Sequence, residues 1–247
     1  MSKLTRLLAR NQVHPDWRPI LEPALATLER DYIEALLDDP RWLPGPERLL
    51  AAFRRDLAGV RYLLIGESPY PRPESANGIA FYDAAVDELW SERGLSKAVN
   101  RATSLRNLVK TALLAEQRVS KDADGKISQQ VIAELDKQGM IRSLAELFAN
   151  LERAGFLLLN ATPVLHPLRK PEQEAGYWRG FLACLLHGLA SRPITLVLWG
   201  QIAKLVETLP ASRSFHKLAC EHPYNISFID NPDMQRLFAE LRLLQAT

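Results

Sequence analysis

Four polar side chains follow apolar runs in this sequence, and each is of a type that can bind or orient a ligand. They are Ser68 after "RYLLIGE", Asn160 at the end of "GFLLLN", Gln201 after "ITLVLWG", and His222 within "HKLACEHP". An amide both donates and accepts hydrogen bonds, an imidazole can donate one, and a hydroxyl can orient a water molecule. If the apolar runs are neighbouring strands, these four side chains gather along one edge of a sheet.

The apolar runs have the length and bounds of buried strands. They span residues 60–67, 155–162, 194–200 and 216–223. Segments with helical spacing of apolar residues separate them, namely "SLAELFANLERA", "YWRGFLACLLHGLA" and "QIAKLVETL". This alternation predicts an α/β fold with a mostly parallel, four-stranded sheet flanked by helices on both faces. In such sheets the ligand site lies outside the carboxyl ends of the strands.

Further helices are expected before the first strand and after it. The pattern from 16 to about 57 is helical, with Asp16 as N-cap of the first segment and "GPERLLAAFRRDL" as a second helix after a Pro-Gly break. "SLRNLVKTALLAEQ" predicts a helix over 104–117 with Ser104 at its N-cap. The segment "KDADGKISQQ" is typical of a surface loop.

Length and composition indicate one soluble, cytoplasmic domain over 1–247. The chain is 47% hydrophobic and 24% charged. Its formal net charge of +2 does not indicate extensive, nonspecific binding along a polyanion. Cys184 and Cys220 lie far apart, which argues against a disulfide framework or a zinc site and fits a reducing compartment. No run of signal-peptide length and no stretch of about 20 apolar residues is present, so we expect neither export nor a membrane span.

Five segments, taken in order, resemble the signature segments of the uracil-DNA glycosylases, and most closely those of family 1. They are "GESPYPRPESANGIAF", "SLRNLVK", "FLLLNAT", "VLWGQIAK" and "EHPYNIS". The family 1 pattern runs GQDPYH, GLAFSV, SLxNI, LLLN, LLWGS and HPSPLS. The resemblance covers roughly residues 16–235. It implies a monomeric base-excision repair enzyme that flips uracil out of single- or double-stranded DNA and hydrolyses its N-glycosidic bond with neither a metal nor an organic cofactor.

The resemblance also implies a role for four pocket residues. Phe81 falls where the family stacks an aromatic ring on the flipped uracil, and Asn160 falls where an amide reads the carbonyl and ring N–H of the base. Tyr70 falls where a tyrosine excludes the 5-methyl group of thymine. His222 falls where a histidine stabilises the charge that develops on the uracil oxygen. Taken singly, each of these residues has a structural explanation in core packing, a turn or a bend.

The catalytic position departs from the family pattern. Ser68 stands where the family has an acid that positions water and opposes the positive charge on the sugar. A serine orients water but supplies no negative charge, and Glu67, one residue earlier, is a candidate substitute. The expected activity is therefore weak, and a catalytically inactive protein that binds uracil, DNA or a protein partner is the alternative. A glycosylase for a different lesion follows from the same residues.

The loops that would grip DNA also differ from the family. The resemblance assigns DNA contact to seven residues: Ser104, Gly200, Gln201, Tyr224, Asn225, Ile226 and Ser227. Ile226 occupies the position of the leucine that the family inserts into the minor groove. Five basic residues could replace the lost phosphate contacts or belong to an ordinary solvated surface; they are Arg101, Arg106, Lys110, Arg169 and Lys170.

Overall fold

The strands lie where the apolar runs predict them. A computed structural model describes residues 3–39 and 41–246, with the backbone alone for residues 3 and 4. Its strands are β1 (Tyr62–Gly66), β2 (Trp90–Ser91), β3 (Gly94–Leu95), β4 (Phe156–Asn160), β5 (Thr195–Trp199) and β6 (His216–Cys220). Four of these form one sheet in the order β4–β1–β5–β6, and β1 pairs in parallel with both β4 and β5. The short strands β2 and β3 form a separate antiparallel pair.

The α-helices that the structure describes lie before, between and after these strands. They are α1 (Lys3–Arg10), α2 (Arg18–Leu25), α3 (Arg30–Asp38), α4 (Lys97–Arg101), α5 (Thr103–Ala115), α6 (Gln129–Glu134), α7 (Leu144–Arg153), α8 (Pro171–Leu189), α9 (Ile202–Glu207) and α10 (Pro232–Leu241). The predicted α/β fold, a four-stranded parallel sheet flanked by helices, is confirmed. None of the helices in the described ranges combines the length with the apolar sequence that a bilayer crossing requires.

The described residues divide into two units. The first unit comprises the described residues up to Ala84 together with Gly155–Leu198 and Ile202–Ala219. The second unit comprises Ala85–Ala154, Trp199–Gln201 and the described residues from Cys220 onward. The single domain over 1–247 that the sequence indicates stays a prediction.

The first unit is built on the sheet and a large apolar core. All five residues of β4 are buried, as are four of the five in β1, because strands covered on two faces present apolar side chains in both directions. Trp17 packs edge-on against Phe53 with ring centroids 4.9 Å apart, and the Tyr62 ring stacks on Phe156 at 4.7 Å. The stacked rings of Tyr62 and Phe156 align the first residues of β1 and β4.

The second unit has its own buried contacts. Trp199, the last residue of β5, packs edge-on against Phe228 at 5.2 Å, and its indole N–H lies 3.2 Å from the Met234 sulfur. Helix α7 begins at Leu144 because Ser143 and Glu146 form a capping box, in which each side chain bonds the backbone N–H of the other. The predicted helix over 143–154 is thereby confirmed.

Two predicted helix features before the first strand are wrong. Residues 45–57 form turns and a short 3-10 helix (Ala51–Arg54), because the Asn11 side chain takes over backbone groups that a helix would pair. Its oxygen accepts from the Leu50 N–H at 2.8 Å, and its amide donates to the Pro46 carbonyl at 2.9 Å. Asp16 does not cap α2 either, since it lies within a 3-10 turn that precedes the helix.

The predicted N-cap of the helix after the first strand is also wrong. Helix α5 begins at Thr103, so Ser104 lies inside its first turn, and Ala102 at the cap position has no side chain that could accept a hydrogen bond. The preceding short helix α4, which Ser96 caps, runs almost directly into α5. No extended residue is therefore left next to Ser104, and a side-chain cap requires one.

Candidate active site

In the first unit, the loops after β1 and β4 begin side by side. Gly66 and Asn160 are register partners at the ends of the two strands. The parallel pairing continues one step further, because the Ala161 N–H donates to the Gly66 carbonyl at 2.8 Å and the Thr162 N–H donates to the Glu67 carbonyl at 3.0 Å. Both loops therefore leave the sheet from a fixed point.

Asn160 is a buried residue whose side-chain amide the protein does not use. The residue is 4% exposed, yet its side-chain amide makes no hydrogen bond to any residue that the structure describes. The amide oxygen faces Gly66, since a Cβ added at that glycine would lie 2.8 Å from it. The amide atoms are not among the fully buried atoms that lack a partner, so they remain open to solvent and to a ligand.

Phe81 lies against the same glycine. The Phe81 ring carbon Cε2 is 3.4 Å from the position of a Cβ on Gly66, and the Ala80 N–H donates to the Leu158 carbonyl at 3.2 Å. Phe81 itself has a backbone φ of +63°, a left-handed conformation that costs a bulky residue about 1–3 kcal/mol and that is found mostly at functional sites. Gly66, Phe81 and Asn160 thus form one cluster.

Tyr70 is held to this cluster by its hydroxyl group. The Tyr70 O–H donates to the Phe81 carbonyl oxygen at 3.3 Å. Burial, with the Asp83 carboxylate nearby, raises the pKa of Tyr70 to about 12, so the phenol stays neutral and remains a donor at physiological pH. The structure therefore brings together three of the four pocket residues that the sequence indicates.

An ion pair braces the loop that carries Tyr70. The Arg72 guanidinium donates to the buried Asp83 carboxylate at 3.0 Å. Next to Asp83, the Ala84 N–H donates to the Ser75 carbonyl at 3.1 Å, and Ala76 forms an isolated bridge with Asp83. The segments on either side of Phe81 are thereby tied to one another.

Glu67 and Ser68 differ from these residues in exposure. Both are exposed, and neither side chain makes a hydrogen bond to any described residue. The backbone of Glu67 is fixed by its bond to Thr162. Both side chains can therefore reach solvent water from an anchored backbone.

In the second unit, the hydrogen bonds of His222 define which ring nitrogen carries the proton. The Tyr224 backbone N–H donates to the Nδ1 atom of His222 at 3.1 Å. Since an Nδ1 atom that accepts a hydrogen bond is not protonated, the neutral ring carries its proton on Nε2. The histidine is thus arranged to donate from Nε2.

Gly200 packs directly on this histidine. Its φ is +77°, and an added Cβ would lie 2.8 Å from the Cβ of His222. The Gly200 N–H donates to the Cys220 carbonyl at 2.8 Å, which ties the end of β5 to the end of β6. Only glycine fits this position, and the neighbouring Gln201 is exposed.

Asn107 is a positioning residue whose role was not recognised from the sequence. This residue is 3% exposed, and its amide donates to the Pro223 carbonyl at 2.7 Å, with longer contacts to the Tyr224 and Asn225 carbonyls at 3.4 and 3.3 Å. The signal that could have found it is the asparagine within "SLRNLVK". Asn107 fixes the loop that follows His222.

That loop presents apolar side chains to solvent. Tyr224 is 68% exposed and Ile226 is 73% exposed, while Asn225 anchors the turn through a bond from its N–H to the His222 carbonyl at 2.9 Å. Ser227 is exposed and hydrogen-bonds the Glu221 side chain. Ser104 is half-buried in α5.

Three of the five basic residues considered for phosphate contact are already bonded within their own units. In the first unit, Arg169 donates to the buried carboxylate of Glu174 at 3.0 Å. In the second unit, Arg106 donates to the Asn100 carbonyl at 2.7 Å and Lys110 donates to the Ile127 carbonyl at 2.6 Å. Arg101 and Lys170 are exposed.

The prediction that Tyr70, Phe81, Asn160 and His222 line one cavity stays a prediction, because His222 belongs to the second unit and the other three to the first. Within the described ranges, no group of three or more His, Cys, Asp and Glu side chains is arranged to hold a metal ion.

Comparison with known proteins identifies the family. No protein-family model matches the chain. The crystal structure of the wild-type UNG from Nitratifractor salsuginis is 43% identical, with a TM-score of 0.93 over 99% of this chain and 98% of that one. The chain belongs to the uracil-DNA glycosylase superfamily. The uracil-DNA glycosylase of a Nocardioides species is 27% identical over 209 residues, which are 83% of this chain and 76% of the relative.

A more distant structure of the superfamily shares the fold alone. The mimivirus uracil-DNA glycosylase is 17% identical, with a TM-score of 0.56 over 90% of this chain and 75% of that one. The structure that is 43% identical confirms the superfamily indicated by the five sequence segments, while the assignment to family 1 and the replacement of its acid by Ser68 stay predictions.

Proposed function

We propose that this protein is a DNA N-glycosylase of family 1 type, which flips uracil out of DNA and hydrolyses its glycosidic bond. The observation that carries the proposal is the amide of the buried residue Asn160, which has no partner among the described residues and lies beside Phe81 at Gly66. An amide that the protein leaves unbonded and open to solvent can pair with a ligand that has both a donor and an acceptor. Uracil presents both along one edge.

Recognition of the base rests on three residues of the first unit. Stacking on the Phe81 ring contributes about 1–3 kcal/mol and serves any base that has left the duplex. The Asn160 amide pairs with the N3–H and O4 of uracil but meets the wrong donor pattern on cytosine. Tyr70, which its bond to the Phe81 carbonyl holds in place, excludes the 5-methyl group of thymine.

Departure of the base is assisted by His222. As the glycosidic bond breaks, its electron pair moves onto uracil and negative charge grows on the carbonyl oxygens of the base. A neutral imidazole that donates from Nε2 stabilises this charge only when it exists, so the donation lowers the barrier. The bond from the Tyr224 N–H to Nδ1 supports this role because it sets the required tautomer.

Water completes the reaction by attacking C1′ of the sugar, and Ser68 or Glu67 holds it. Ser68 supplies no charge, so the rate lacks the contribution of a positioned base, which is about 100-fold to 10,000-fold. This corresponds to a barrier higher by about 3–5 kcal/mol. The enzyme is therefore expected to be slow.

The DNA strand is held by loops that differ from the family pattern. We assign contact with DNA to seven residues: Ser104, Gly200, Gln201, Tyr224, Asn225, Ile226 and Ser227. The exposure of Ile226 supports its role as the wedge that fills the gap left by the flipped base. The cytoplasmic location and the monomeric state stay predictions.

The proposal is tested by incubating excess protein with uracil-containing single and double strands and then cleaving abasic sites with alkali. We expect slow release of uracil that falls about 100-fold in the Asn160→Ala variant, because the base loses its polar partner. Hypoxanthine, xanthine and ethenocytosine substrates reveal whether another base is preferred. If no substrate yields a product over long times at excess protein, glycosylase activity is excluded.

The second candidate function is recognition without hydrolysis, which Ser68 at the catalytic position favours. Such a protein binds uracil-containing DNA more tightly than matched undamaged DNA and releases no base. Calorimetry beside the cleavage assay separates the two functions, because only the enzyme yields abasic sites.

A further inference from the structure

A cavity whose lining combines charged and apolar side chains lies in the second unit, outside the residues assigned to base recognition. Its volume is about 330 Å³. The residues that give it chemical character include three lysines, two aspartates and two isoleucines: Lys110, Lys121, Lys126, Asp122, Asp230, Ile226 and Ile229. We call this cavity the lysine groove.

The lysine groove has more cationic side chains than anionic ones. Lys126 is exposed, and its ammonium group makes no bond to any described residue. Lys121 forms an ion pair with Asp230, and Lys110 donates to the Ile127 carbonyl at 2.6 Å. The groove therefore has one unpaired ammonium and two that are partly engaged.

The remaining carboxylate of the groove is committed to its own turn. Asp122 accepts from the Asp124 N–H at 3.1 Å and from the Lys126 N–H at 2.8 Å, while its own N–H donates to the Lys126 carbonyl at 2.8 Å. These bonds fix the backbone of Lys126. When Lys126 binds an anion, its backbone is therefore already ordered, and only its side chain loses conformational freedom.

The apolar part of the groove includes the exposed Ile226. Its side chain is 73% exposed, and two positions before it Tyr224 is 68% exposed. None of the residues lining the groove is aromatic, so the groove has no platform on which a base could stack. Isoleucine side chains can pack against a sugar, and ammonium groups can pair with a phosphate.

We propose that the lysine groove binds a backbone phosphate of the DNA strand into which Ile226 inserts. The inference rests on the proposed function, because it takes DNA as the substrate. When an apolar wedge enters a duplex, strand phosphates come close to the backbone of the wedge residue. Here the wedge residue, Ile226, is itself part of the groove wall. Lys126 replaces the small hydroxyls that the family pattern uses for phosphate contact.

The test is the salt dependence of binding to an undamaged, fluorescently labelled DNA duplex. For each phosphate that a lysine neutralises, the slope of log K against log salt concentration changes by about 0.9. We expect Lys126→Ala to lose about one such unit and to bind about threefold to tenfold more weakly at low salt. Lys126→Arg keeps the charge and should keep the slope.

The matched control is Lys137→Ala in the same unit. The Lys137 ammonium donates to the Ala133 and Leu135 carbonyls, and the residue does not line the groove, so the slope should not change. Equal slopes for the wild-type protein and Lys126→Ala overturn the inference, as does an equal loss in the control or an absence of DNA binding by the wild-type protein.

Uracil release, measured in parallel, separates this inference from the proposed function. If no base is released but Lys126→Ala changes the slope, glycosylase activity is excluded and the phosphate site in the lysine groove is supported. If base is released but Lys126→Ala leaves the slope unchanged, the proposed function is supported and the phosphate site in the lysine groove is excluded.

Discussion

Asn107 donates a 2.7 Å hydrogen bond to the carbonyl oxygen of Pro223, and this bond fixes the loop that follows His222. The donor lies in the first turns of α5, while the acceptor lies 116 positions further along the chain. The same amide also contacts the next two carbonyls, so one buried side chain holds three consecutive backbone groups. The shape of the loop thus depends on a residue that need not touch the substrate.

Asn107→Ala is expected to lower the free energy of unfolding by about 1–3 kcal/mol, because it leaves buried carbonyls without a donor. It should also weaken DNA binding, since Tyr224 and Ile226 lose their support. Urea unfolding and duplex titration measure the two effects.

The control for this variant is Asn150→Ala. Asn150 is also buried in the second unit and donates to the Leu243 and Gln245 carbonyls at 2.7 and 2.9 Å. It should cost similar stability and leave DNA binding intact. Equal losses of DNA binding in both variants mean that Asn107 has only a structural role.

Gly200→Ala is expected to disturb His222. The new Cβ would lie 2.8 Å from the histidine Cβ, and the φ of +77° disfavours any side chain. Gly139→Ala provides the comparison, since its φ is +71° and nothing lies within 4 Å of its added Cβ. Both variants have the backbone cost of about 1 kcal/mol. Only Gly200→Ala should cost more in thermal unfolding and reduce uracil release, and equal effects would argue against the contact.

Ser68→Asp is expected to raise the rate of uracil release by about 100-fold to 10,000-fold, because it supplies the carboxylate that the family pattern has there. Single-turnover kinetics measure the gain. Glu67→Gln in the wild-type background shows whether the neighbouring carboxylate already contributes. An unchanged rate in Ser68→Asp would show that this position does not limit the reaction.

Stability should fall as the pH rises from about 10 towards 12, and Tyr70 should contribute to the loss. Burial raises the pKa of Tyr70 to about 12, whereas the unfolded side chain ionises near 10. In that range the unfolded chain releases a proton that the folded protein keeps, so unfolding becomes easier with rising pH. Urea unfolding of Tyr70→Phe should show a smaller decrease between pH 9.5 and 11.5 than the wild type. A parallel decrease in both would exclude Tyr70 as a source.

The strands and much of the site could be predicted from the sequence, because the signals are local. A short apolar run that ends in Gly66 or Asn160 predicts both a buried strand and a polar group at its end. The ordered segments around Tyr70, Phe81 and Asn160 then predicted a cluster that the structure contains. Burial of β1 and β4 confirms the first step.

The features that were missed depend on distant partners. Residues 45–57 have apolar spacing typical of a helix, but Asn11, far earlier in the chain, bonds their backbone and favours turns. Ser104 fails as a cap because α4 leaves no extended residue before α5. The role of Asn107 depends on carbonyls more than a hundred positions away, so the segment "SLRNLVK" marks the residue but does not indicate its partners.

A crystal structure of the protein with uracil tests the central claim most directly. We expect the uracil ring to stack on Phe81, with its N3–H and O4 paired to the Asn160 amide and its 5-position against the Tyr70 ring. Uracil bound elsewhere, or an Asn160 amide that keeps its distance from the bound base, would contradict the assignment of this cluster as the base-recognition site.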